Sequence, residues 1–132
     1  MVPQTLPVES ENGSTGSKSR ALSTRQALFG SPGRTDLLVL VAGMGRSFPR
    51  ELARLTKMPM TTIVRTLDDF ERAGVLVSIR LGTTREVRLN PDYVVAKELA
   101  SLLEALVERE PRYRKIIAEA ARRRPRRSGK AI

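Results

Sequence analysis

Thr61, Thr62, Arg65 and Thr66, followed by Asp69, form a polar face near the start of one helical segment. Hydroxyls and a guanidinium at that spacing donate hydrogen bonds and carry no bulk that would keep them out of a nucleic-acid groove. Their chemistry is recognition of base edges rather than the making or breaking of bonds. A second group, Arg80, Thr83, Thr84, Arg85 and Arg88, follows that helix directly and is better read as contacting phosphates or a minor groove than as an ordinary solvated strand face. Other chemistries lack their parts. The chain has no Cys and no His, which removes disulfides, thiolate nucleophiles, Cys/His zinc sites and imidazole acid-base work together. Asp68, Asp69 and Glu71 share a helix with Arg65 and Arg72, and the spacings Arg65 to Asp69 and Asp68 to Arg72 suit surface ion pairs. No catalytic residue, metal site or cofactor is expected, and the chain does not read as an enzyme.

The elements that must hold these groups can be read from period and punctuation. Arg50 to Thr56 is predicted as a short helix with Leu52, Ala53 and Leu55 on its apolar side. Lys57, Met58 and Pro59 interrupt it, because Pro59 lacks a backbone donor and biases Met58 away from helical angles. A second helix follows from Met60 to Ala73, with Ile63, Leu67 and Phe70 at i, i+4 and i+7 and Gly74 as its C-terminal stop. From Leu76 to Asn90 the period changes to two. Val77, Ile79 and Leu81, then Val87 and Leu89, alternate with polar residues around a Gly82–Arg85 turn, predicting a hairpin with one buried face.

Upstream, Ser23 and Gln26 have capping-box spacing for a short helix presenting Ala27, Leu28 and Phe29 before Gly30. Ser31 and Pro32 then open a helix to about Ala42, whose run Leu37–Val41 marks it as the central, most buried element. The stretch Gly43-Met44-Gly45-Arg46-Ser47 has the G-x-G of a phosphate loop but no third glycine and no Lys-Ser/Thr pair, so it reads as a turn. From Tyr93 to Val107, Val95, Leu99, Leu102 and Leu106 form a stripe of more apolar surface than an edge helix needs, predicting a dimerisation helix in preference to packing within one domain. After Pro111, a short helix over Tyr113 to Ala121 precedes the basic run Arg122–Lys130.

Totals set the remaining bounds. A chain of 132 residues with 4% aromatic content allows one domain with an aliphatic core. The expected division is a disordered tail over 1–22, a domain over 23–110, and a short helix with a basic disordered tail over 111–132. Net charge is +10, of which +8 falls in residues 112–132, so a polyanionic partner is expected and the charge alone selects no sequence. Asn12-Gly13-Ser14 matches a glycosylation sequon by chance, since no export signal precedes it. The longest apolar run falls far short of a membrane span of about 20 residues, so the expected location is the cytoplasm, associated with the nucleoid.

Helix, buried helix, helix-turn-helix, two-stranded wing and C-terminal helix is the order of a winged helix-turn-helix regulator, a mainly α fold with a small β-wing. Four blocks sharpen the likeness: Ala27-Leu28-Phe29-Gly30-Ser31-Pro32-Gly33-Arg34, Pro49-Arg50-Glu51-Leu52-Ala53, Ala73-Gly74-Val75-Leu76 and Arg88-Leu89-Asn90-Pro91. Over residues 22–108 the chain resembles the small prokaryotic regulators of the ArsR-like superfamily. The resemblance implies sequence-specific binding of double-stranded DNA, transcription regulation and a homodimer. It would put Thr61, Thr62, Arg65 and Thr66 at base edges, with Arg50, Arg54 and Lys57 near phosphates. Two departures stand out: the absence of Cys and His means that metal sensing is not carried over, and Pro59 stands where relatives have a Ser-type cap. The competing reading is a winged-helix protein-interaction module whose Arg-rich tail attaches to nucleic acid without sequence preference.

Overall fold

Ser31 begins the ordered architecture by capping a helix: its Oγ accepts from the Arg34 N–H at 3.2 Å, and Pro32 occupies the first turn, where a missing N–H costs nothing. The computed structural model describes residues 28–124. Ser23 and Gln26 lie outside them, and Leu28, Phe29 and Gly30 form a bend rather than the expected helix. Seven elements follow: α1 (Pro32–Met44), α2 (Pro49–Thr56), α3 (Met60–Arg72), β1 (Leu76–Leu81), β2 (Thr84–Leu89), α4 (Ala96–Arg109) and α5 (Pro111–Arg123). The layout is mainly helical with one antiparallel hairpin.

Helix α1 is the axis of the core. Leu37, Leu38, Val39, Leu40 and Val41 are all fully buried, together with Leu52 of α2, Ile63 and Leu67 of α3, Leu76 and Val87 of the hairpin, and Leu103 of α4. Gly43 and Met44 belong to this helix rather than to a turn, and Gly45 ends it. A Cβ at Gly43 would meet Ile117 Cδ1, the end of a side chain that would have to shift, so the glycine eases the close approach of α5 to α1.

The hairpin corrects the expected face. Leu76 pairs with Leu89 and Leu81 with Thr84, which leaves a two-residue turn of Gly82 and Thr83 with Gly82 at φ 66°. In this register Leu76, Ser78 and Arg80 share a face with Arg85, Val87 and Leu89, while Val77, Ile79 and Leu81 share the other with Thr84, Glu86 and Arg88. The expected single apolar face is therefore split. Val87 and Leu76 enter the core, whereas Ile79 and Leu81 are 43% and 52% exposed. Ser47 adds a short third bridge to Val87, with reciprocal backbone hydrogen bonds of 2.9 and 2.8 Å.

Helix α5 is longer than the Tyr113–Ala121 segment expected and is fastened at both ends. Near its start the Tyr113 hydroxyl donates to buried Asp36 Oδ1 at 2.6 Å, with Arg112 at 3.3 Å from the same oxygen. Just past its end Arg124 grips both Glu51 oxygens, at 2.9 and 2.5 Å, and donates to the Arg46 carbonyl at 2.9 Å. The basic run thus starts inside the fold: Arg122 and Arg123 are helical, and Arg124 is an internal clasp.

Helix α4 turns Leu103 into the core and Leu102 outward. Leu103→Ala is therefore expected to lose about 2 to 5 kcal/mol in urea unfolding, and Leu102→Ala about 0.5 kcal/mol or less. Equal losses would mean that the helix presents a different face.

Candidate nucleic-acid interface

Two short helices meet at a tight turn below the hairpin. At the end of α2, Lys57 adopts the left-handed conformation with φ 66°, and its N–H bonds to the Ala53 carbonyl at 2.9 Å. Thr56 Oγ1 donates back to the Leu52 carbonyl at 2.7 Å and accepts from the Met58 N–H at 3.2 Å. Pro59 then serves as N-cap of α3 with extended angles, φ −61° and ψ 146°, and supplies no side-chain acceptor. The first-turn N–H groups of α3 are consequently not occupied by a side-chain cap, the condition under which a helix N-terminus favours an anion.

The sequence-predicted residues divide once they are placed. Thr61 and Arg65 are exposed on α3, and Thr62 is half-buried. Thr66 is 5% exposed and belongs to the buried side with Ile63, Leu67 and Phe70, so it is not a base-reading residue. Its position three after Ile63 and four before Phe70 was the available signal, since both spacings fall on one helical face. Arg50, Arg54, Lys57 and Arg80 are exposed, as are Thr83 and Thr84.

Arg85 is the second correction. Its side chain is 13% exposed and lies between the hairpin and α3. There it reaches Asp68 at 3.0 Å and Glu71 at 2.8 Å while Nε donates to Ser78 Oγ at 3.0 Å. Ser78 in turn donates to Glu71 at 2.9 Å, which completes a polar strut joining both strands to the helix. The expected local pairs are absent. Asp69 takes Arg72 at 2.6 Å and Arg34 at 3.5 Å instead of Arg65, and Asp68 takes Arg85 instead of Arg72.

This exchange leaves Arg65 with no ion-pair partner among the described residues, and the same holds for Arg50, Arg54, Lys57 and Arg80. Arg88, by contrast, lies 3.4 Å from buried Glu86, which Arg46 also approaches at 3.5 Å. A groove of about 380 Å³ brings Arg50, Thr83, Thr84 and part of Arg85 together with Phe48, Pro49 and Met60. Exposed Met60 and Val64, which sequence reasoning passed over, flank Thr61 with apolar surface. Unlike Thr66, they carry no polar group to draw attention.

The stripe on α4 is partly occupied within the chain. Leu99 and Leu106 pack half-buried against the core, and Leu103 is fully buried. Val95 stands just before the helix, and only Val95 and Leu102 of the four residues expected at a dimer contact remain largely outward, at 44% and 41% exposed. Among the described residues no helix is long and apolar enough to cross a membrane, and no cluster of acidic side chains could hold a metal.

No protein-family model, curated protein or solved structure matches this chain.

Arg85→Ala is expected to lower stability by about 1 kcal/mol, an amount that shrinks in about 1 M salt as the released carboxylates are screened. Arg80→Ala should stay within about 0.5 kcal/mol under the same urea titration. The reverse order would return Arg85 to the solvent-facing set.

Proposed function

We propose that this is a winged helix-turn-helix protein of the ArsR-like kind that binds double-stranded DNA in a sequence-specific way and regulates transcription. Helix α3 enters the major groove, with Thr61, Thr62 and Arg65 at base edges. The hairpin is the wing, and Arg80, Thr83 and Thr84 follow the backbone or the minor groove. The observation that carries this reading is the set of five exposed cations, Arg50, Arg54, Lys57, Arg65 and Arg80, left without ion-pair partners among the described residues on α2, the turn, α3 and the hairpin. A phosphate backbone supplies the counter-charges they lack. The strut adds support, because Arg85 neutralises Asp68 and Glu71, which would otherwise repel phosphates from α3. A homodimer through Val95 and Leu102, with Leu99 and Leu106 behind them, would present two such helices about 34 Å apart.

One observation favours a second reading. Ile79 and Leu81 offer an exposed apolar row on the hairpin, which suits a protein partner better than phosphate, with nucleic acid then held unspecifically by the Arg-rich end of the chain.

Selection from a random DNA library at about 150 mM salt separates the two, using the full chain and a form ending at Arg124, which keeps the α5 clasp. A shared motif from both supports the regulator. Arg65→Ala should then weaken the preferred site by about 1 to 3 kcal/mol and relax it at one position. No motif from either form, with binding lost on shortening, would leave the interaction module.

A further inference from the structure

We infer that an apolar cleft on the side of the molecule formed by the end of α3 and by α4 is a binding site for a lipophilic organic cation. Its volume is about 560 Å³, within the range of small-molecule sites, and its floor and walls include the rings of Phe29, Phe70 and Tyr93 with Leu38 and Leu99. Three charged residues line it: Arg34, Asp69 and Glu98. Arg34 is committed, lying 3.5 Å from Asp69 and 4.8 Å from the centre of the Phe70 ring. Asp69 is held a second time by Arg72 at 2.6 Å. Glu98, exposed in the first turn of α4, has no ion-pair or hydrogen-bond partner among the described residues.

The lining thus carries one positive and two negative groups on a chain whose net charge is +10. An anionic ligand would meet the free carboxylate, and its natural partner Arg34 is already engaged. A cation on an aromatic frame gains Glu98 as counter-ion and aromatic faces as a bed, the arrangement in which Arg34 already sits over Phe70. Val95 and Leu102 rim the mouth, so the cation and a second copy of the chain would compete for the same surface. The inference needs no part of the DNA reading and is tested by binding alone.

Equilibrium dialysis of the full chain against tetraphenylphosphonium and against tetraphenylborate, matched in shape and opposite in charge, tests it. The net charge of the chain favours the anion, so preference for the cation must arise locally. Tetraphenylphosphonium is expected to bind once per chain with a dissociation constant on the order of 10 µM, at least about tenfold tighter than the anion. Glu98→Gln should weaken it about fivefold, while Glu104→Gln, exposed on the same helix outside the cleft, should leave it unchanged. Ala73→Leu, which fills the cleft from the end of α3, should abolish it. Equal or tighter binding of the borate, insensitivity to Glu98→Gln, binding that survives Ala73→Leu, or no saturable binding to about 1 mM would each overturn the assignment. Absence of binding in a dimer that light scattering shows to separate on Leu102→Asp would give the cleft to the second copy instead.

Discussion

Five consecutive residues of α1, Leu37 to Val41, are each no more than 1% exposed. An α-helix advances about 100° per residue, so five in a row sweep more than a full turn and must be covered from every direction. That requirement dictates the arrangement of the other elements. Helices α2, α4 and α5 and the strand β2 all pack against α1, and α3 closes the core through Ile63 and Leu67. The helix with the least polar surface therefore fixes the relative positions of α2, α3 and the hairpin, the parts that carry the proposed DNA contacts.

Charge is distributed by the same economy of surface. Arginines at the seams are paired: Arg85 between hairpin and α3, Arg112 against Asp36, and Arg124 against Glu51. Arg50 and Arg54 on α2, Arg65 on the outer side of α3 and Arg80 on the hairpin have no ion-pair partner among the described residues. Such pairs at the seams rigidify them because separation would strand a charge in a poorly hydrated place: the carboxylates of Asp36 and Glu51, and the guanidinium of Arg85. Exposed unpaired cations hold no part of the fold in place and are available to an external polyanion. The arginines of the described residues thus have two structural roles, and a count alone does not divide them.

Much of the fold was legible in the sequence because period and punctuation are local. Ser31 and Pro32, Lys57 to Pro59, and Gly74 mark helix boundaries through backbone preferences that need no tertiary partner. The split hairpin face was legible in principle too. A loop with an even number of residues pairs odd positions of one strand with even positions of the other, so Val77, Ile79 and Leu81 cannot share a face with Val87 and Leu89. The candidate site was less readable. Spacing on α3 offers Asp68 the nearby Arg72 and Asp69 the nearby Arg65, but Asp68 pairs with Arg85 and Asp69 with Arg72 and Arg34, and Arg85 and Arg34 arrive from other elements. Arg85 shows why residue type misleads: on a strand its side depends on register and on what packs above, neither of which spacing reports. The clasp of Arg124 was hidden for the same reason, being 73 residues from Glu51.

The two fastenings of α5 also bear on the order in which the chain becomes whole. Asp36 waits for Tyr113, 77 residues later, and Glu51 for Arg124. During vectorial synthesis α1 emerges early, yet one of its sides stays uncovered until almost all of the described chain has been made. Over that interval Leu37 to Val41 is an apolar segment with no lid, the kind of surface that self-associates or recruits a chaperone. Helix α5, the last of the described elements, therefore closes the core, and the non-local contacts it completes place the slow part of folding after its own synthesis.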